Sequence, residues 1–192
     1  MRRMYLISMV LIIMLISFYF GSFTLIISET NSSAQTATSR DANATFNEGF
    51  CVYPDSPFGN LVASELKARG HKVLTLSAPV ECDGQFLAVW VEWVNVSYFP
   101  VFSKGQLKAV AIYSSAGDPS HYLRYRNSTD KRKALITFNE TDGPQVQGYI
   151  IVRISDESKG IMSLRGYQDY LMRKAAEMVA RQAELFRSKG GV

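Results

Sequence analysis

From Met4 to Ser28 the chain carries no charged side chain, whereas beyond Glu29 apolar and polar positions either alternate or recur at helical spacing. At about 1.5 Å rise per residue the uncharged run would extend roughly 37 Å as a helix, more than the roughly 30 Å hydrocarbon core of a bilayer. The pattern predicts a single N-terminal transmembrane helix, a signal anchor over residues 1–28 that meets lipid through residues 4–28. Arg2 and Arg3 precede the run and should stay cytoplasmic, so the rest of the chain is expected on the extracytoplasmic side of the cell membrane. The competing expectation is secretion after signal cleavage, since Ser32 and Ala34 fit the −3 and −1 positions of a cut before Gln35.

Residues 29–48 are rich in Ser, Thr, Asn and Ala and offer almost no large apolar group. Such a stretch buries too little to offset its ordering entropy and is expected to be a flexible tether. The remainder, 49–192, is of a size suited to one hydrophobic core.

Within that domain Ser56-Pro57 opens a helix over about 57–69, Gly70 stops it, and 71–77 returns as a strand. Residues 85–96, QFLAVWVEWVNV, form a β-branched and aromatic run that is apolar on both faces in its first half, as a central strand would be. Further strands are expected at 107–114, 122–126, 134–138 and 146–154, joined by short Gly-, Pro- and Asn-containing turns. The segment 164–188 has a helical rhythm in Leu164, Tyr167, Leu171, Ala175, Val179 and Phe186. The expected fold class is therefore α+β. About five antiparallel strands form a sheet with two helices packed mainly on one face, behind the N-terminal helix.

The formal charge of +4 comes from 21 basic and 17 acidic residues. Setting aside Arg2 and Arg3 leaves about +2 for the exported part, which is no argument for a polyanion partner and none for a specific nucleic acid. Cys51 and Cys82 are the two cysteines, and in an oxidising compartment they are expected to form a disulfide closing the strand end and the loop beyond 71–77. The alternative, Cys51 as a nucleophile with His71 as its base, places the partners at opposite ends of the first helix. Five N-x-Ser/Thr sequons, at Asn31, Asn43, Asn95, Asn127 and Asn139, are candidate glycosylation positions.

Candidate chemistry is sparse. Asp118 with His121, or Ser120 with His121, could be a fragment of a metal or hydrolase site, but metal sites need three or four converging ligands. Glu81 and Asp83 flank Cys82 and read as solvated loop acids rather than a glycosidase pair. No motif implies a catalytic residue, a metal or a cofactor. The most suggestive cluster is Tyr122, Arg124, Tyr125 and Arg126 followed by Lys131, Arg132 and Lys133. Interleaved aromatic and basic groups can stack on sugars and hold anions. The plain alternative is an edge hairpin protected by its charges.

These readings favour a membrane-anchored cell-surface domain with a non-enzymatic binding or envelope-assembly role, its partner an envelope protein or a surface glycan. The alternative is an exported hydrolase or metal-dependent enzyme using Asp118 and His121. A further alternative is a pilin-like filament subunit, which this chain resembles in its basic N-terminus, apolar segment and β-rich remainder. It departs from that pattern in having no Gly or Ala between Arg3 and the apolar run.

Overall fold

Gly21 divides the uncharged run into two elements of different kinds. In the computed structural model, which describes residues 2–39, 44–138 and 144–189, helix α1 (Arg2–Phe20) ends at that glycine. Strand β1 (Thr24–Thr38) follows. The first residues of β1, Thr24-Leu25-Ile26-Ile27, are largely β-branched and suit a pleated strand better than a continued helix. The expected N-terminal transmembrane helix is thereby corrected. Among the described residues no helix is long and apolar enough to cross a membrane.

Strand β1 also runs through residues 29–38, where a tether was expected. Its backbone pairs antiparallel with β6 (Gln147–Met162) along its whole length, from Thr24 opposite Met162 to Thr38 opposite Gly148. Sequence composition weighs side-chain burial and misses this backbone pairing. Side chains on alternate positions, such as Ile26 and Ala34, then pack against the core.

The remaining elements are β2 (Phe50–Pro54), α2 (Phe58–Ala68), β3 (Val73–Thr75), β4 (Gln85–Phe99), β5 (Phe102–Ser114), α3 (Ser120–Asn127), α4 (Lys131–Ile136) and α5 (Leu164–Lys189). The sheet has six strands in the order β1-β6-β5-β4-β2-β3. β4, β5, β6 and β1 are antiparallel neighbours, but β2 lies parallel to both β3 and β4. The expected five-stranded antiparallel sheet is thus a six-stranded mixed one. The cause is local: α2 carries the chain from β2 back to start β3 in the same direction, and a helical crossover of this kind makes parallel neighbours.

Helices cover both faces, not mainly one. On one face α2 and α5 seal a core of Val52, Val62, Leu66, Leu87, Val89, Leu107, Ile150, Val152, Tyr167, Leu171 and Val179. On the other, α3 and α4 cover only the end nearest β2, through Cys51, Phe86, Ala88, Ile112, Tyr122 and Leu135. Residues 122–126 and 134–138, expected as strands, belong to or overlap α3 and α4. Tyr122 and Tyr125 explain why. Three residues apart, they share one side of a helix, and both pack against Trp90 of β4.

Candidate functional site

Three places could carry function: the disulfide loop, the aromatic–basic segment, and the end of the sheet from which α1 departs. Cys51, in β2, is joined to Cys82 with a Cα–Cα distance of 6.6 Å. The bond ties the central parallel strand to the loop entering β4. It also removes Cys51 as a nucleophile. His71 faces elsewhere, its Nε2 lying 2.8 Å from Glu184 Oε1 on α5.

Beside the disulfide, Glu81, Asp83 and Asp118 line an open hollow of about 570 Å³ together with Thr45 and Gln145. Asp118 serves as a local clamp there. Its Oδ1 accepts the Ser120 backbone N–H at 2.8 Å, and its Oδ2 accepts Ser120 Oγ at 2.6 Å and Gln145 Nε2 at 2.7 Å. The first of these bonds satisfies an orphan backbone N–H where α3 begins, and the other two tie the Ser120 hydroxyl and Gln145 to the same carboxylate. His121 is fully buried beneath α4, with Nε2 3.2 Å from the carbonyl oxygens of Ala134 and Leu135. The two residues of the candidate enzyme site therefore serve different elements. Among the described residues no group of three or more His, Cys, Asp or Glu could hold a metal ion.

The aromatic–basic segment is drawn into the fold residue by residue. Tyr122 is 2 % exposed and packs against Tyr53 and Phe86 as well as Trp90. Burial, reinforced by its hydrogen bond with Asp55, pushes the Tyr122 phenol well above its ordinary range. Burial also raises Tyr125, whose ring lies 5.1 Å from that of Trp90. Arg124 donates to Gln147 Oε1 at 2.9 Å and Arg126 to Asp55 Oδ2 at 3.2 Å. Lys131 sits over the Tyr125 ring and donates to the carbonyl oxygens of Tyr125 and Arg126 at 2.9 and 2.6 Å. Arg132 and Lys133 lie exposed on α4. Asp130 caps that helix by accepting the Lys133 N–H at 2.9 Å, a signal readable in the sequence as an Asp three residues ahead.

Of the sequons, Asn31 on β1, Asn95 on β4 and Asn127 at the end of α3 are exposed. Asn43 and Asn139 lie outside the described residues.

The third place was hidden in the supposed anchor. Every large apolar side chain from Tyr5 to Phe20 except Phe18 is more than half exposed, so α1 presents apolar groups on all sides. Its C-terminal end is held to the sheet. Tyr98 of β4 donates to the carbonyl oxygens of Phe18 at 3.0 Å and Met162 at 2.8 Å, and its ring packs edge-on against Tyr19. Burial and the nearby Tyr19 raise the Tyr98 phenol above its ordinary value. Phe23 then exchanges hydrogen bonds with Ser163, fixing α1 beside the start of α5.

No protein-family model and no curated protein matches the chain. Two solved structures similar to it are PelC dodecamers from Paraburkholderia phytofirmans. One, in space group P6, is 10 % identical with a TM-score of 0.38, covering 77 % of this chain and 94 % of that one. The other, a point variant in space group C2, is 11 % identical with a TM-score of 0.33, covering 76 % and 95 %.

Proposed function

We propose that the chain is a non-enzymatic binding or assembly module attached to a membrane surface by α1, with its sheet domain on the extracytoplasmic side. The observation that carries this reading is the exposure of an apolar helix on all its sides. A helix that packs on protein shows one apolar stripe and one polar face; one that is apolar all round needs an apolar medium. Sixteen residues from Tyr5 to Phe20 reach about 24 Å, short of the roughly 30 Å core, so the role assigned to α1 is embedding in lipid rather than crossing it.

The Cys51–Cys82 bond supports an oxidising compartment, where such bonds persist. Exposure of Asn31, Asn95 and Asn127 leaves those sequons open to glycosylation there. An assembly role is favoured over the Asp118–His121 enzyme because those two side chains are committed to capping α3 and packing under α4.

The test is flotation of the full chain with phosphatidylcholine–phosphatidylglycerol vesicles. The wild-type chain should rise with the lipid. A variant with Leu11→Glu and Leu15→Glu should stay in the dense fraction while keeping its far-ultraviolet circular dichroism. Equal flotation of both would sink the reading.

A further inference from the structure

The apolar surface does not stop where α1 ends. α1 leaves the domain at the end of the sheet formed by the start of β1, the end of β6 and the β4–β5 hairpin turn, whose Pro100 and Val101 carbonyls accept β6 N–H groups. On the sheet face opposite α5 this end carries Leu25 (78 % exposed) and Ile27 (83 %) from β1 and Ile161 from β6. Phe99 (62 %) stands on the same face at the end of β4, and Val101 is exposed in the turn beside it. Side chains this apolar are ordinarily scattered singly over a surface, and here they form one end contiguous with an exposed apolar helix.

The same face becomes polar with distance from the tip. Lys159 lies opposite Ile27, and Lys104, two residues beyond Phe102, sits over the Phe102 ring. On the other face, Arg165 is exposed in the first turn of α5, where that helix begins at the same end of the sheet. Two acids share the row of Lys104: Glu157 lies directly opposite it, pairs with it at 2.6 Å, and stands opposite Glu29. Asn31 and Asn95 are each four residues further from the tip than Ile27 and Phe99, about 13 Å along a strand. An apolar row that includes one long cation, then a mixed row of one lysine and two acids, then polar amides is a gradation from groups that suit a bilayer interface to groups that suit water.

We infer that this end of the sheet is a second lipid-contacting surface, in which Phe99, Val101, Leu25, Ile27 and Ile161 enter the bilayer interface while Lys159 and Arg165 meet anionic headgroups. The inference rests on the membrane attachment proposed above and adds an orientation to it. The sheet stands on its hairpin tip, strands steeply inclined to the membrane, with α3, α4 and the disulfide loop at the far end, facing outward.

A depth measurement tests it. Single cysteines placed by Ile12→Cys in α1, Val101→Cys at the tip and Ser33→Cys midway along β1 take an environment-sensitive fluorophore, the native cysteines being bridged. Each labelled full-length chain is reconstituted in phosphatidylcholine–phosphatidylglycerol vesicles with and without brominated acyl chains. The expected result is loss of emission from the labels at 12 and 101 in the brominated vesicles, with the label at 33 unchanged. Quenching at 12 with none at 101 would overturn the tip contact and leave the α1 attachment standing. No quenching at 12 would remove both.

Discussion

The phenol of Tyr167 on α5 donates to Asp156 Oδ2 on β6 at 2.8 Å, in a layer where Tyr167 is fully buried and Asp156 is 1 % exposed. Thr30 of β1 donates to Asp156 Oδ1 at 2.6 Å and Ser158 to Oδ2 at 2.6 Å. A buried carboxylate is costly unless its oxygens find donors, and here three hydroxyls from three elements supply them. The polar Ser/Thr character of β1, which looks like a tether in sequence, is what lets this strand close the network. Asp156→Ala removes the acceptor that three hydroxyls share, leaving Thr30 with the Tyr170 phenol and Tyr167 with the backbone carbonyl of residue 156, and should lower stability by about 3 kcal/mol. Tyr167→Phe, which leaves two donors, should cost about 1–2 kcal/mol. Urea unfolding of the two variants gives the comparison; equal losses would mean that the hydroxyls do not act on Asp156 as a set.

Alkaline stability follows from the same residue. Burial, then hydrogen bonding to Asp156, raises the Tyr167 phenol far above its ordinary pKa; burial and Asp55 do the same for Tyr122. Between about pH 10 and the raised folded values, the unfolded chain holds fewer protons than the folded one. Stability contributed by these phenols is therefore complete below about pH 10 and declines as pH rises past it, by about 1.4 kcal/mol per pH unit for each. Tyr167→Phe should roughly halve the slope that the two tyrosines produce together. A slope unchanged in that variant would contradict the assignment.

Much of the α5 side of the molecule is legible in the sequence, and the reason is periodicity. Tyr167, Leu171, Ala175 and Val179 fall on one helical side, and 86–91 is apolar on both faces, so α5 and β4 stand where pattern places them. Pattern misleads where two periods coincide. Tyr122-Leu123-Arg124-Tyr125-Arg126 alternates enough to look like a strand, yet the Tyr122–Tyr125 spacing that meets Trp90 is helical. The uncharged run misleads for another reason, since hydropathy alone cannot distinguish an apolar helix from an apolar helix followed by a β-branched strand. Gly21 is the visible mark of that change. The basic cluster around 122–133 reads as a surface patch because sequence does not show that Arg124, Arg126 and Lys131 have partners within the fold.

Removing the Cys51–Cys82 bond should weaken the fold measurably. It closes a separation of 31 residues, for which the chain-entropy relation gives about 3–4 kcal/mol. A Cys51→Ser, Cys82→Ser chain should unfold at correspondingly lower urea, as should the reduced wild type. A midpoint equal to that of the oxidised protein would show that α2 and β3 hold the unit without it.

Lys131 and its two neighbours separate a structural role from an anion-binding one. The Lys131 ammonium bonds the last carbonyls of α3 and lies over Tyr125, so Lys131→Ala should lower stability by about 1 kcal/mol. Arg132→Ala with Lys133→Ala, both exposed on α4, should leave stability within about 0.5 kcal/mol. If this segment holds acidic glycans, the double variant is the one whose retention on an anionic polysaccharide resin falls. Retention equal to wild type would end that use of the segment.

Gly105 tests how closely α5 sits on the sheet. It stands in β5 between Val96 and Asp156, and a β-carbon there would run into the Leu171 side chain and come within 2.9 Å of the Tyr167 phenol oxygen. The absent side chain is what lets α5 approach β5 at the level of the Asp156 network. Gly105→Ala can be met by a shift of the flexible Leu171 end and should cost about 1–2 kcal/mol. Gly105→Val adds two further methyls against Tyr167 and should cost more, beyond about 2 kcal/mol, by displacing the phenol from Asp156. Combining Gly105→Val with Tyr167→Phe discriminates the cause. If the damage runs through the hydrogen bond, the double variant should be less destabilised than the sum of the singles. Simple additivity in urea unfolding would assign the cost to packing alone.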